Sequence, residues 1–477
     1  LDWYYGDKRF LMMAAPTGAG KSLLGALTIK LTGVKGMGLT HSKGLQAQLA
    51  EDQRYAALGL LSMKGQENYT CEYHADGTSA RDADCHYGYE CELKKSWGCS
   101  YYDQLHAVRQ GSYGITNYAY WILQNMHGGG LGNVGLLVCD EGHLAHKALE
   151  SALSVWVSSR VLDVTEHTRR VEDPDRWMSS LVQKLGRTYK VSKAMRRMLK
   201  QTKDGVEWVL GHRHLKWVYE YGSNGVTFIP VWPGPESEVL WAGVRKVIVM
   251  SASLVPKHQA VLGIKDSDRE WVSMPSYFPA ANTPIHHVET VRMNYQTSEE
   301  DKVYWVSRMD DVMRSRPNTK GIIFVSSYEH SKLVMRESRF KDRLIAHSRQ
   351  DTAERVRMFK ESTAPAVLVS PAISTGFDFP YDQCDWIVIG KVPYPDTRPP
   401  AIKARCEDDP EWGTFLSMET VVQVGGRGTR AVDDKCEVFI IDDNWRWFYR
   451  NNQGFAPDWF RSRVKGSLER VPSMSTV

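Results

Sequence analysis

Short apolar runs, each bounded by polar or glycine-rich segments, recur along most of the chain. Five of them have the length and composition of buried β-strands, at residues 10–15, 135–139, 320–325, 366–369 and 384–390. Segments of helical composition separate these runs, and such alternation is typical of α/β domains with parallel sheets. The pattern predicts one α/β domain in the first half of the chain and another in the second.

The first apolar run leads directly into a glycine-rich loop, and a helical segment follows the loop. A strand, this loop and a helix in that order are the context that a phosphate-binding P-loop requires. Backbone N–H groups of the loop would surround the phosphates at the start of the helix. Lys21 would reach the β and γ phosphates, and the Ser22 hydroxyl would bind Mg²⁺. The predicted nucleotide-binding residues of the loop are Pro16, Thr17, Gly18, Ala19, Gly20, Lys21 and Ser22.

The run at residues 135–139 ends on the sequence Asp140-Glu141-Gly142-His143. Adjacent carboxylates at the end of a strand suit two tasks in ATP hydrolysis. Asp140 would hold Mg²⁺, and Glu141 would polarise the attacking water. His143 has two interpretations, since it could relay the nucleotide state to a neighbouring motif or cap the following helix.

In the second half, the segment from Gln423 to Arg430 reads QVGGRGTR. On a helix, Gln423, Arg427 and Arg430 would share one face, at positions i, i+4 and i+7. Two arginines there could stabilise charge on a transferring γ-phosphate, as arginine fingers do. A pair of solvated surface arginines is the simpler alternative. The glycines argue against it, because each costs an ordinary helix about 1 kcal/mol.

Four of the eight cysteines, Cys71, Cys85, Cys91 and Cys99, lie within 29 residues, between the P-loop and the Asp-Glu pair. Thiols clustered in this way in a reducing compartment indicate a metal centre more often than disulfides. Their spacing does not match the CxxC pairs of common zinc modules. Four thiolates can hold either Zn²⁺ or a [4Fe–4S] cluster, and the ligand type alone does not separate the two.

Composition narrows the class of protein only moderately. Hydrophobic residues make up 42% of the chain and charged residues 24%, as in an ordinary globular protein, and the net charge is +4. No segment approaches the roughly 20 apolar residues of a membrane span, and the N-terminus lacks a signal-peptide pattern. A cytoplasmic protein that does not act at a membrane is therefore expected. An anionic partner would have to be attracted by local basic surfaces.

The most basic local segment is residues 176–203, which contain nine Lys or Arg residues and no Asp or Glu. Lys184, Arg187, Arg197 and Lys200 have spacings that could place them on one helix face. We interpret this segment as a candidate phosphate-binding surface, although a solvated helix face is the simpler alternative.

Taken together, these motifs resemble one family, the superfamily 2 helicases of the XPD/DinG type. The resemblance covers nearly the whole chain and keeps the family's motif order. It rests on APTGAGKS (15–22), LTH and LQAQL (39–41 and 45–49), GQENYTC (65–71), CSYY (99–102), ITNY (115–118), DEGH (140–143), MSASL (250–254), STGFD (374–378) and QVGGRGTR (423–430).

The resemblance implies two RecA-like P-loop domains with parallel sheets. It also implies an iron–sulfur cluster insertion and a short, mainly helical arch insertion in the first domain. The expected boundaries are 1–68, 101–148 and 226–256 for the first domain, 69–100 for the cluster insertion, 149–225 for the arch and 257–477 for the second domain. The implied cofactors are ATP, Mg²⁺ and a [4Fe–4S] cluster on Cys71, Cys85, Cys91 and Cys99.

For function, the resemblance implies a monomeric helicase that hydrolyses ATP and moves 5′→3′ on single-stranded DNA. The cluster insertion would split forked or tailed duplexes. Asp378 and Gln423 join the implied nucleotide site, beside the catalytic residues Lys21, Asp140, Glu141, Arg427 and Arg430. The residues implied to contact nucleic acid are Thr40, His41, Gln46, Asn117, Thr375 and Gly376.

Two departures from the family pattern bear on function. Only fourteen residues precede Ala15, so the family's upstream base-reading segment is expected to be absent or truncated. About a hundred residues separate the DEGH and SASL motifs, which predicts a small arch. Two alternatives to a helicase remain open. One is an ATP-driven translocase that does not separate strands, and the other is a non-catalytic DNA-binding module whose cluster senses oxidants.

Overall fold

The structure is a computed structural model that describes residues 1–74, 76–83, 85, 90–95, 97–373, 377–429 and 433–465. The strands of this part of the chain are β1 (Phe10–Ala14), β2 (Gly36–Thr40), β3 (Leu60–Ser62), β4 (Tyr113–Asn117), β5 (Leu136–Cys139), β6 (Val155–Ser158), β7 (Trp217–Gly222), β8 (Gly225–Pro230), β9 (Lys246–Ser251), β10 (Arg269–Ser273), β11 (Ile285–His287), β12 (Lys320–Phe324), β13 (Leu344–Ala346), β14 (Ala366–Ser370), β15 (Trp386–Ile389) and β16 (Glu437–Ile440). All five strands predicted from the apolar runs are confirmed.

Helices connect most of the parallel strands. They are α1 (Asp2–Tyr5), α2 (Lys21–Thr32), α3 (Lys43–Glu51), α4 (Gln53–Ala56), α5 (Ser100–Gln110), α6 (Tyr118–His127), α7 (Ala145–Leu153), α8 (Ser159–Val164), α9 (Pro174–Leu185), α10 (Lys193–Gly211), α11 (Glu238–Trp241), α12 (Pro256–Val261), α13 (Glu299–Arg314), α14 (Tyr328–Glu337), α15 (Thr352–Glu361), α16 (Pro400–Asp408), α17 (Trp412–Gly425), α18 (Asn444–Asn452) and α19 (Asp458–Arg461). No helix among these described residues has the length and apolar character needed to cross a bilayer.

Two parallel sheets confirm the predicted α/β class. The first has the strand order β10-β1-β9-β5-β2-β4-β3 and the second the order β11-β16-β15-β12-β14-β13. Apolar side chains cover each sheet on both faces, which explains why the central strands read as continuous apolar runs. The two domains are those of a RecA-like fold, with one sheet each.

The first domain extends past the predicted boundary between residues 256 and 257. Strand β10 pairs in parallel with β1, so residues 269–273 belong to the first sheet. The second sheet starts at β11, which pairs with β16. Strand β10 follows the SASL segment and belongs to no recognisable motif. Only its pairing with β1 shows that it belongs to the first sheet.

The arch insertion contains a three-stranded antiparallel sheet that the sequence analysis did not predict. Strand β8 lies between β6 and β7, and helices α8, α9 and α10 share an apolar core with this sheet. The insertion therefore extends past residue 225, to the end of β8. The predicted basic helix face is corrected, because Lys184 lies on α9 and Arg197 on α10, with Arg187 between the helices.

Candidate active site

The chemistry of the first domain lies at one edge of its sheet. Strands β1, β2, β4, β5 and β9 are parallel, so their carboxyl ends meet at the same edge. The P-loop follows β1, the Asp-Glu pair follows β5, and the SASL segment includes the end of β9. This edge is where open α/β sheets bind ligands.

The loop between β1 and α2 has the backbone of a phosphate-binding loop. Gly18 and Gly20 have φ angles of 77° and 72°, a region that glycine enters without steric cost. Lys21 is the first residue of α2, and its buried ammonium group donates to the Pro16 carbonyl at 3.0 Å. The adjacent Ser22 hydroxyl donates to the Asp140 carboxylate. The loop therefore brings a cation and a hydroxyl to the acidic end of β5.

Asp140 and Glu141 form a partly buried pair of carboxylates. Burial raises the pKa of Asp140, and the neighbouring Glu141 raises it further, while the Lys21 charge opposes the shift. Burial alone would also raise the pKa of Glu141, but the hydrogen bond and charge of His143 and the charges of Lys21 and Arg427 outweigh it and lower that pKa. Glu141 has a φ of 49°, which is uncommon for a residue other than glycine. Such backbone strain is often found at functional sites.

His143 links the acidic pair to two other motifs. Its Nδ1 lies 2.7 Å from the Ser251 hydroxyl and 3.2 Å from a Glu141 carboxylate oxygen. Its Nε2 lies 3.3 Å from the Gln423 amide nitrogen, which donates to the Ser253 hydroxyl at 2.6 Å. Of the two interpretations of His143, these contacts favour the relay, because the ring connects residues of both domains.

The second domain covers the P-loop with the end of α17 and the turn that follows. The Thr17 hydroxyl donates to the Gly426 carbonyl at 3.4 Å. The Arg427 side chain is mostly buried and donates to Asp378 at 3.1 Å. Because α17 ends at Gly425, Arg427 lies on this turn, and the predicted helix face shared with Gln423 is corrected. Arg430 lies outside the described residues.

Another contact between the domains comes from a residue that the sequence analysis missed. Glu419 lies one turn before Gln423 on α17 and accepts a hydrogen bond from His258 Nε2 at 2.7 Å. Both side chains are buried, and His258 Nδ1 accepts from the Val255 backbone N–H. This pairing leaves the ring proton on Nε2, facing the carboxylate. No local motif marks either residue, so sequence reasoning had no signal for the pair.

The residues predicted to contact nucleic acid occupy different environments. Gln46 is 1% exposed and its amide nitrogen donates to Ser62 and Met63, so its side chain holds β3 and does not face a ligand. Thr40 is also buried. His41 is exposed beside it, while the Asn117 side chain caps α6. The buried positions of Gln46 and Thr40 correct that prediction, and Thr375 and Gly376 lie outside the described residues.

The four clustered cysteines line one small cavity of about 20 Å³, together with apolar and aromatic side chains that include Ala83 and Tyr102. Cys71 is buried, the other three are half-buried, and none forms a disulfide. Burial raises the pKa of Cys85, and the neighbouring thiols raise it further. Four thiols around one cavity are a suitable ligand set for a cationic centre. Among the described residues, no group of three or more His, Cys, Asp or Glu side chains could hold a single metal ion.

A turn of the second α/β domain that carries Arg427 covers the P-loop of the first, which is the arrangement of two-domain P-loop proteins. Residues 310–463 match the family described as the helicase C-terminal domain. No curated protein sequence matches the chain. The second domain is therefore similar to helicase C-terminal domains over residues 310–463.

The particular fold follows from solved structures. An XPD helicase structure matches 95% of this chain and 96% of its own, at 16% identity and a TM-score of 0.62. An apo XPD structure covers 93% and 95%, at 15% identity and a TM-score of 0.58. The S. tokodaii Xpd4 structure covers 93% and 94%, at 12% identity and a TM-score of 0.59. The chain has the fold of these XPD structures, and the predicted resemblance to XPD-type helicases is confirmed at the level of the fold.

Substitution of the two central residues of the first domain should have separable effects. Lys21→Ala removes the cation of the P-loop, so ATP hydrolysis should be abolished and nucleotide binding weakened. Glu141→Gln keeps the size of the side chain and loses the carboxylate that would polarise water, so ATP should still bind and turnover should fall more than tenfold. Nucleotide binding and phosphate release measured on both variants would check this. Turnover in Glu141→Gln within tenfold of wild type would contradict its role.

Arg427→Ala should lower ATP turnover by about 10³-fold or more, with a much smaller loss of nucleotide affinity, if the guanidinium stabilises charge during transfer. The same expectation applies to Arg430→Ala. A suitable control is Arg398→Ala, since Arg398 is exposed and forms an ion pair with nearby Asp396. Single-turnover phosphate release with single-stranded DNA is the measurement. Normal hydrolysis by either variant would assign that arginine a structural role.

Proposed function

We propose that this protein is an ATP-dependent DNA helicase that moves 5′→3′ along single-stranded DNA and separates duplexes. The observation that carries the proposal is the contact of the P-loop with the arginine-bearing turn, where Thr17 meets Gly426 across the two domains. Residues of both domains meet at this edge, so nucleotide binding and hydrolysis there would close and open the cleft between the domains.

Each residue at this edge has a task that its surroundings suit. Lys21 would neutralise phosphate charge, and Ser22 and Asp140, already in contact, would hold Mg²⁺. When bound, Mg²⁺ would supply further neutralisation of charge on the phosphates. Glu141 would accept the proton of the attacking water, since its lowered pKa keeps it ionised. Arg427 is close enough for its charge to affect Glu141, which supports its role beside the γ-phosphate.

Single-stranded DNA would lie across the edges of both sheets. Exposed His41, which follows β2, is a candidate contact for the DNA backbone in the first domain. In the second domain, the candidates are Thr375 and Gly376. The exposed cations Arg187, Lys190, Arg196 and Lys200 give the arch a surface that could bind phosphates by charge. A monomer in the cytoplasm is the form we propose.

A [4Fe–4S] cluster on Cys71, Cys85, Cys91 and Cys99 would give the insertion between β3 and α5 a rigid core. The common cavity, in which the neighbouring thiols raise the pKa of Cys85, supports this assignment. Bound to four thiolates, the cluster would join four points of an insertion in which little regular structure occurs among the described residues. A rigid insertion of this kind could serve as the wedge that separates strands.

The proposed activity predicts a strict dependence on the nucleic acid offered. Phosphate release should rise with single-stranded DNA above its level with no nucleic acid, duplex DNA or RNA. Duplexes with a 5′ single-stranded tail should be unwound, and those with a 3′ tail should show little unwinding. Between about 50 and 200 mM salt, loading should weaken steeply, as counterion release requires when several phosphates are neutralised. Unwinding from 3′ tails alone would contradict the proposed direction.

Displacement of streptavidin from the same tailed substrates separates a helicase from a translocase. Streptavidin displacement without strand separation would identify a translocase. Failure of DNA to stimulate phosphate release would favour a DNA-binding module without motor activity.

For the cluster, anaerobically purified protein should be yellow-brown, with a broad absorbance in the visible range. Cys85→Ser should bleach it and abolish strand separation, while part of the DNA-stimulated ATPase remains, because the wedge and not the nucleotide site is disturbed. Cys406→Ser is the matched control, since Cys406 is a half-buried thiol outside the cavity. A colourless wild-type protein with one zinc per chain would overturn the assignment.

A further inference from the structure

An arginine of the second domain is inserted where the arch returns to the first domain. Arg405 lies on α16 and is only 3% exposed. Its Nε donates to the Val231 carbonyl at 2.6 Å, and its Nη2 donates to the Glu150 carboxylate and, at 3.5 Å, to the Pro230 carbonyl. Glu150 belongs to α7 of the first domain, and Pro230 ends β8 of the arch. One guanidinium thus connects three parts of the molecule.

Aromatic and acidic neighbours complete this contact. The guanidinium lies 5.7 Å from the ring centre of Trp232 and 5.6 Å from that of Trp412. Asp408, at the end of α16, accepts from Lys216 at 2.6 Å and from the Trp232 indole at 3.0 Å. We call residues 216 and 230–232 the arch root. Burial of a permanently charged side chain requires compensating partners, so Arg405, Glu150 and the carbonyls of the arch root form one unit.

The segment that follows Arg405 in the chain, helix α17, extends to the nucleotide site. Helix α17 begins four residues after α16 ends and contains 14 residues, which makes it about 21 Å long. Along its length, Glu419 contacts His258 and Gln423 contacts Ser253 of the first domain. Arg427 follows its last turn. A rigid helix therefore joins the region of Arg405 to the turn that covers the P-loop.

We propose that Arg405 couples the arch to the nucleotide state. Closure of the cleft by ATP docks Arg405 into the arch root and orders it, and opening of the cleft withdraws Arg405 and loosens the root. Arg405 is a positioning residue, since it lies apart from the residues assigned to the nucleotide. The inference rests on the proposed function, because it needs a cleft that ATP closes.

Hydrogen exchange at residues 216–232 tests the coupling directly. In wild-type protein, a non-hydrolysable ATP analogue with Mg²⁺ should slow exchange there by about tenfold or more, because docking of Arg405 would suppress local opening of the arch root. Arg405→Leu should remove this difference, and Arg405→Lys should restore only part of it, because an ammonium group lacks the planar fork. In Arg405→Leu, strand separation should fall together with the protection of the arch root from exchange. The DNA-stimulated ATPase should stay within about threefold of wild type.

The matched control is Lys257→Ala. Lys257 of the first domain pairs with Asp409 at 2.6 Å and Glu411 at 3.3 Å, so it also bridges the domains but does not touch the arch root. This variant should keep the nucleotide-dependent protection. Should Arg405→Leu fold poorly, Lys216→Ala tests the same unit from its exposed side and should weaken the protection in part.

Two outcomes would overturn the coupling. One is exchange in the arch root of the wild type that does not respond to the bound analogue. The other is an unchanged response in Arg405→Leu and Lys216→Ala. Both readouts need only nucleotide binding, so they are distinguishable from a failure of the proposed helicase activity, which would appear as loss of DNA-stimulated phosphate release in wild-type protein.

Discussion

The candidate active site is organised around the need to compensate two adjacent carboxylates at the end of β5. Burial raises the pKa of Asp140, and the charge of Glu141 adds to that effect. Leaving buried charge uncompensated costs several kcal/mol, so cations and hydrogen-bond donors must converge on this point. Lys21 and Ser22 arrive from the P-loop, and His143 from the turn after the pair. The left-handed backbone at Glu141 is one local consequence of aiming both carboxylates at the same edge.

The second domain adds a further positive charge near the two carboxylates, that of Arg427. Arg427 comes from the turn after α17, and its position depends on the contacts that hold α17 against the first domain. Those contacts, from Glu419 to His258 and from Gln423 to Ser253, lie one helical turn apart. Because they share a rigid helix, a change at the nucleotide would be transmitted along the whole interface. The coupling proposed for Arg405 depends on this arrangement.

Local signals were sufficient for much of the architecture. The central strands of both sheets are buried on two faces, so they read as apolar runs, and the P-loop is defined by glycines within a few residues. The hairpin of β7 and β8 also has a local signal, because it turns at Ser223-Asn224 between the paired Gly222 and Gly225, all residue types that favour turns. The short edge strand β10 and the end of α17 at Gly425 had weaker signals, since tertiary pairing decides both.

The sequence by itself determined the two α/β domains, the phosphate-binding loop, the acidic pair and the grouping of four cysteines. Each of these depends on residues that are near one another in the chain, where backbone preference and burial act locally. Only the tertiary structure decided that Gln46 is an internal support, that Asp378 pairs with Arg427, and that Arg405 reaches Glu150, 255 residues away. Such pairs depend on how two domains and an insertion pack together, because a charged side chain becomes buried only where distant elements supply all of its partners.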